Sequence, residues 1–495
     1  MENVLDTLVA QAKAELGSLE PQGLWKYFLG LSQIPRGSKN EAAAAQWVAD
    51  QAVALGCEVL RDEVGNVIIR KSATPGREHA PVTALQAHVD MVCEKNEGTQ
   101  HDFLKDPIAL RREGDRLLAT GTTLGADNGI GVAAALAVLA SKEIKHGPLE
   151  VLITIDEETG LTGAGGLQEG LLKAKYLLNL DSEEEGDLTI GCAGGVDTTA
   201  TKKVARVPAT AGKAAYRLKV MGLKGGHSGV EIHQGRGNSI RILAGVLWNL
   251  TPAFGLELVS LTGGNKRNAI PREASVVFFM DPARLEEFQT AVTAMEQDYR
   301  SALGGFDPGL HLVVEPKADA EARVMEARDA RAVVNFLYTI PHGVEANSPD
   351  IADLVQTSTN LAMIATKGDN VEVCTSQRSS IASSKWDMAN RISSVCELAG
   401  FEAVRGDGYP GWKPTPKAAL VQVVNAVHAE TFGKPMAIKA IHAGLECGLI
   451  GEKYPEMQMV SFGPSMWDVH TPDENVSIAS VGNFWTLLVA VLENV

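Results

Sequence analysis

Cysteine is scarce and scattered in this 495-residue chain: Cys57, Cys93, Cys192, Cys374, Cys396 and Cys447 include no CxxC pair. This excludes the disulfide framework of a small secreted domain and argues against structural zinc held by thiolates; the thiols read as reduced ones in a reducing compartment. Long apolar runs are missing too. None approaches the roughly 20 uncharged residues that a membrane span needs. Basic residues are outnumbered, with 45 Lys and Arg against 61 Asp and Glu, and the formal charge of −16 disfavours unspecific binding to nucleic acid or an anionic membrane. Met1-Glu2-Asn3-Val4-Leu5-Asp6 is acidic and amphipathic, where a secretory signal is basic and then apolar. The expectation is a cytoplasmic protein with neither nucleic acid nor membrane as partner.

What is there reads as alternating strands and helices in two to four folding units, the number this length suggests. Helical spacing runs from Glu2 to Leu16 and from Glu41 to Leu55, with the turn-rich Ser32-Gln33-Ile34-Pro35-Arg36-Gly37-Ser38 between them. Cys57 to Leu60 and Asn66 to Arg70 read as a hairpin, and Thr83 to Val89 as the first buried strand. The Ala-rich run Ile130 to Ile144 is a helix, followed by strands at Leu149 to Ile155 and at Tyr176 to Leu180. This alternation predicts an α/β fold, a mixed, mostly parallel sheet sandwiched by helices.

After Gly194-Gly195 the pattern changes. Residues 196–406 predict an inserted α+β domain, and residues 1–195 with 407–495 the discontinuous domain around it. Within the insert, strand, loop and helix in Tyr216 to Leu250 find an echo in Val371 to Leu398, which raises an internally duplicated, ferredoxin-like module as one reading and chance as the other.

The chemistry gathers where strands end. His88 and Asp90 close one strand, Asp156-Glu157-Glu158 follow the next, and Asp181 ends a third, while Asp127 stands before the Ala-rich helix. Residues past the carboxyl ends of parallel strands converge on one crevice. Each taken alone has a plainer reading: Asp127 as a helix N-cap, His88 and Asp90 as a hydrogen-bonded pair, the acid run as a solvated loop. Together they offer imidazole and carboxylate donors suited to a borderline cation such as Zn²⁺. Of Glu157 and Glu158, one can ligate while the other takes a proton from water.

Here the sequence resembles a known family. His88-Val89-Asp90, Gly125-Ala126-Asp127-Asn128-Gly129, Asp156-Glu157-Glu158-Thr159-Gly160, Asn179-Leu180-Asp181 and the late His470 match, in order, the ligand motifs of the co-catalytic di-zinc peptidases that include aminoacylase, glutamate carboxypeptidase and the bacterial dipeptidases. Ile34 to Ser38, Gly225-Gly226-His227-Ser228-Gly229 and His442 to Gly448 are most similar to the branch that cleaves aminoacyl-histidine dipeptides such as β-alanyl-histidine. The resemblance implies two Zn²⁺, with Co²⁺ or Mn²⁺ able to replace them. His88 and Asp181 would hold one ion, Glu158 and His470 the other, and Asp127 would bridge them, with a cis peptide between Asp127 and Asn128. It further implies Glu157 as general base, Asp90 as the group orienting His88, and His227, on an insert that closes as a lid, as an oxyanion donor. Asn268, Arg378 and Gly444 would bind the small dipeptide, Arg378 by pairing with its carboxylate. Glu446 receives no role, and a homodimer is compatible with the sequence.

Two rivals remain at this point. An N-acyl amino acid deacylase would use the same metals and base on another amide, and a non-catalytic scaffold would keep the fold without the chemistry. A di-metal phosphatase is disfavoured because no phosphate-cradling Gly loop accompanies the acids.

Overall fold

The computed structural model describes residue 16 and residues 18–495. The helix expected over Glu2 to Leu16 therefore lies, Leu16 apart, outside the described residues. The chain divides into two compact units: residues up to Gly191 with Trp412–Ala440 and Leu445–Val495, and Cys192–Gly411 with Ile441–Gly444. These limits fall a few residues from the 195 and 407 read from the sequence, and they assign Gly444 to the second unit.

The first unit is built on an eight-stranded mixed sheet. Its centre is four parallel strands, in the order Leu149–Thr154, Thr83–His88, Tyr176–Asn179 and Gln458–Ser461. Every residue of Thr83–His88 and Leu149–Thr154 is buried, the mark of strands covered on both faces. The antiparallel hairpin Glu58–Arg61 and Val67–Lys71 extends one side, as expected.

Among the helices that escaped the sequence reading is Gln22–Leu31, which buries Leu24, Trp25, Tyr27, Phe28 and Leu31, a helical stripe that Gly23 and Gly30 disguise as a turn-rich stretch. It packs on the helix Ala126–Ala140, where a Cβ at Gly129 would lie 3.0 Å from the Phe28 ring. A small four-stranded sheet was also unforeseen; it runs Met466–Trp467, Asn475–Ser477, Arg116–Ala119, Leu110–Glu113. The loop between its first two strands carries His470.

The second unit holds a nine-stranded antiparallel sheet. Ala214–Met221, helix Ser239–Phe254, Glu257–Gly263, Ala274–Met280, helix Leu285–Leu303 and His311–Pro316 form one βαββαβ set, its strands ordered fourth, first, third, second. Gly194–Lys203, helix Ala327–Thr339, Val355–Lys367, Asn370–Ser379, helix Ala382–Leu398 and Glu402–Arg405 form another, with the mirrored order. The two join edge to edge through Thr262 opposite Ala365 and Gly263 opposite Ile364. The echo read from the sequence aligned the wrong parts. It set the first strand and helix of one set beside the third strand and second helix of the other, because any strand, loop and helix in succession share that pattern.

Candidate metal centre and active site

His88 ends its strand with its side chain 1% exposed, and its two ring nitrogens face different carboxylates. Nδ1 lies 3.3 Å from Asp90 Oδ1, while Nε2 lies 3.1 Å from Asp127 Oδ1 and 3.3 Å from Asp181 Oδ1. On the far side of Asp127, Oδ2 is 3.2 Å from His470 Nε2, which is itself 2.9 Å from Glu158 Oε2. Six donor atoms thus fall into two sets of three, with one oxygen of Asp127 in each. His88, Asp127 and Glu158 also satisfy the spacing of a metal-holding group.

The donors fit divalent cations. Ligand bonds of 2.0–2.2 Å in a tetrahedron put neighbouring donors about 3.3–3.6 Å apart, and the separations here run from 2.9 to 3.3 Å. Glu158 Oε1 is buried with no hydrogen-bond partner. The electrostatics agree, since Asp127, Glu157, Glu158, Asp181 and Glu183 crowd together and unpaired buried carboxylates repel. Burial and then the neighbouring acids Asp181, Glu446 and Glu158, against the pull of His88, push Glu157 well above the usual carboxylate range. Burial, opposed by His88, likewise lifts Asp181 to about 7. Hydrogen bonds to Asp127 and Glu158 raise His470 to about 11, so the carboxylates draw positive charge onto the imidazole.

The supporting residues are fixed by local structure. Asp90 is fully buried; it accepts from Ser38 Oγ at 2.8 Å and from the Glu157 and Glu158 N–H groups at 3.0 and 3.3 Å. Burial would raise its pKa, but His88, these amides and Ser38 hold it at about 2, an anion that orients the imidazole. Asp156 adopts a left-handed φ of 47° and accepts from the Thr159 and Thr162 hydroxyls, which fixes the turn that presents Glu157 and Glu158. The Asp127–Asn128 peptide is cis, and Asn128 Nδ2 donates to Leu180 O at 2.7 Å, beside Asp181.

Sequence reasoning missed three buried residues here. Arg36, read within a turn-rich link, is 1% exposed and donates to the carbonyls of Val89 at 2.8 Å, Asp90 at 3.1 Å and Gly125. Glu474 accepts backbone N–H groups from Leu124 to Asp127. Glu446, left without a role, is 1% exposed and accepts from Gln86 Nε2 at 2.6 Å and Thr154 Oγ1 at 2.7 Å. Nothing local in the sequence distinguishes them from surface charges.

The second unit assembles its own polar cluster. His227, on a short strand paired with Ala269–Ile270, accepts at Nδ1 from the Gly229 and Val230 N–H groups, both at 3.1 Å. Its proton therefore sits on Nε2, and burial, with Arg378 nearby, keeps the ring neutral by lowering its pKa. Arg378 is 7% exposed and donates from Nη1 to Tyr409 Oη at 2.9 Å; it has no ion pair among the described residues. A buried guanidinium without an anion is costly, and this one is available to a carboxylate. A Cβ on Gly444 would lie 2.8 Å from the Tyr409 ring, so glycine there leaves the tyrosine free to hold Arg378. Asn268 is exposed and, with His227, lines a cavity of about 890 Å³ in this unit.

This fold with this donor set defines a metallohydrolase, and comparison with known proteins narrows the class. The model of Peptidase family M20/M25/M40 matches residues 84–494, and the chain belongs to that family of peptidases. It is 42% identical over 483 residues to the cytosol non-specific dipeptidase of Escherichia coli strain K12, covering 97% of this chain and 99% of that one. Among solved structures it is similar to aminoacylhistidine dipeptidase from Vibrio alginolyticus, at 43% identity, 97% coverage of both chains and a TM-score of 0.90. The aminopeptidase PepT of Bacillus cereus shares the fold at 18% identity, with a TM-score of 0.56 over 96% of this chain and 99% of that one. No described helix is long and apolar enough to cross a membrane.

Proposed function

We propose that this chain is a metal-dependent dipeptidase that hydrolyses Xaa-His dipeptides such as β-alanyl-histidine. The observation that carries the reading is the pair of donor sets sharing Asp127. On this reading His88, Asp127 and Asp181 would hold one Zn²⁺, and Asp127, Glu158 and His470 the other. Two such ions supply Lewis acidity toward the peptide carbonyl and an activated water.

The chain's own residues do the rest. Glu157, kept basic by burial among other acids, takes the proton of the attacking water and delivers it to the leaving amine nitrogen. Asp90 holds His88 in the tautomer that turns Nε2 toward Asp127 and Asp181. His227 offers a neutral Nε2–H suited to the oxyanion that develops on the carbonyl. Arg378 offers its guanidinium to the terminal carboxylate, Gly444 keeps Tyr409 in place behind it, and Asn268 supplies an amide to the substrate backbone. Selection of histidine at the second position draws its support from the Vibrio alginolyticus relative.

The test is hydrolysis of β-alanyl-histidine against an N-acetylated amino acid, using metal-depleted protein with and without Zn²⁺. Zinc-dependent cleavage of the dipeptide alone is the expected result. Cleavage of only the acylated substrate would make the chain a deacylase working with the same site.

A further inference from the structure

Gly125 takes a left-handed φ of 69°, and a Cβ there would fall 2.4 Å from Arg36 Nη2, so only glycine fits. The backbone at this point turns successive N–H groups toward one spot just before the helix that carries Asp127, the kind of concavity that receives an anion. Here the anion is a side chain. Glu474 Oε2 accepts from Leu124 N at 2.8 Å and Gly125 N at 3.0 Å, and Oε1 from Ala126 N at 2.8 Å and Asp127 N at 3.4 Å. The carboxylate is 2% exposed.

Thr471, Pro472 and Asp473 alone separate Glu474 from His470. This spacer is held by turns, Thr471 N to Asp468 O at 3.2 Å and Glu474 N to Thr471 O at 3.1 Å. The two metal-facing residues that meet at Asp127 Oδ2 are therefore tied behind their backs by one buried carboxylate. Arg36 joins the third segment, because its guanidinium collects the Val89, Asp90 and Gly125 carbonyls next to His88.

We infer that Glu474 is a positioning residue for the metal centre, a pin that sets Asp127 and His470 at metal spacing before any ion binds. The inference rests on the metal reading above and goes beyond it in naming what preorganises the ligands. A plain helix cap would stabilise the fold and leave ion affinity alone. A pin changes ion affinity, because without it the His470 loop must be ordered at the expense of binding.

The experiment is Zn²⁺ titration of metal-free wild type, E474Q and E474D in competition with a chromophoric chelator, beside urea unfolding of the same metal-free proteins. The amide of E474Q sets an NH₂ group against backbone N–H donors, while E474D keeps the charge and loses the reach. The expected result is two ions in the wild type and about 10- to 100-fold weaker binding of at least one ion in each variant. If E474Q does not fold, E474D decides. Wild-type zinc affinity in a folded variant, even one with lowered stability, overturns the pin and leaves the metal reading intact. A wild type that binds no zinc overturns the metal reading and the pin with it.

Discussion

His470 meets Asp127 at Oδ2, 3.2 Å away, the carboxylate oxygen that His88 does not use. One short side chain thus serves two imidazoles from segments more than 300 residues apart in the chain, which is why Asp127 carries more of the centre than any other donor. Asp127→Asn replaces one of those oxygens by an NH₂ group. The expected outcome is loss of both ions, measured as metal per chain after dialysis, whereas Asp181→Asn and Glu158→Gln each weaken one. Equal retention in all three variants would contradict the bridging role.

Glu157 makes no ion pair with the donor sets among the described residues, and its place beside them suits proton transfer rather than ligation. Glu157→Gln is expected to lower kcat by about 10²–10⁴-fold with metal content unchanged. Loss of metal in this variant would make Glu157 a ligand instead.

Arg378 and Gly444 are expected to act together through Tyr409. Arg378→Met should cost about 1.5–3 kcal/mol in kcat/KM for dipeptides with a free carboxylate, the worth of a hydrogen bond to a charged group, and little for C-terminally amidated ones. Gly444→Ala should likewise lower kcat/KM for the free-carboxylate dipeptides, by pushing the tyrosine ring. Equal effects on both substrate types would remove Arg378 from carboxylate recognition.

The second unit should lose stability in mild acid through His342. Its Nδ1 accepts from Leu361 N at 3.3 Å and lies 3.4 Å from Asn238 Nδ2, the residue that caps helix Ser239–Phe254. Burial, reinforced by Arg241, lowers its pKa to about 4. Between about pH 6.5 and 4 the unfolded chain binds a proton that the folded one refuses. Stability is therefore complete above pH 6.5 and falls as the pH drops toward 4, by on the order of 3 kcal/mol. Urea unfolding at pH 7.5 and pH 5 should show a smaller pH effect in His342→Gln than in wild type; identical pH dependence would contradict the assignment.

Much of the centre was legible because its signals are local. His88, Asp127, Glu157, Glu158 and Asp181 each follow an apolar strand or precede an apolar helix, and strand ends in a parallel sheet share a crevice. Glu474 and Arg36 were not legible, since their partners lie hundreds or tens of residues away and a charged side chain in a loop reads as solvated. Helix Gln22–Leu31 was hidden by glycines that serve close packing rather than turns. The paired βαββαβ sets were within reach of the strand count, but their true correspondence emerges only from strand order, with one set inserted between the first strand and first helix of the other.

The most direct measurement of the central claim is a stepwise addition of Zn²⁺ to metal-free protein, read by hydrolysis of β-alanyl-histidine, in wild type and Asp127→Asn. Ions shared across Asp127 give activity that climbs until the second equivalent and stays near zero in the variant. Full activity in excess chelator, or a variant that titrates like the wild type, would contradict it.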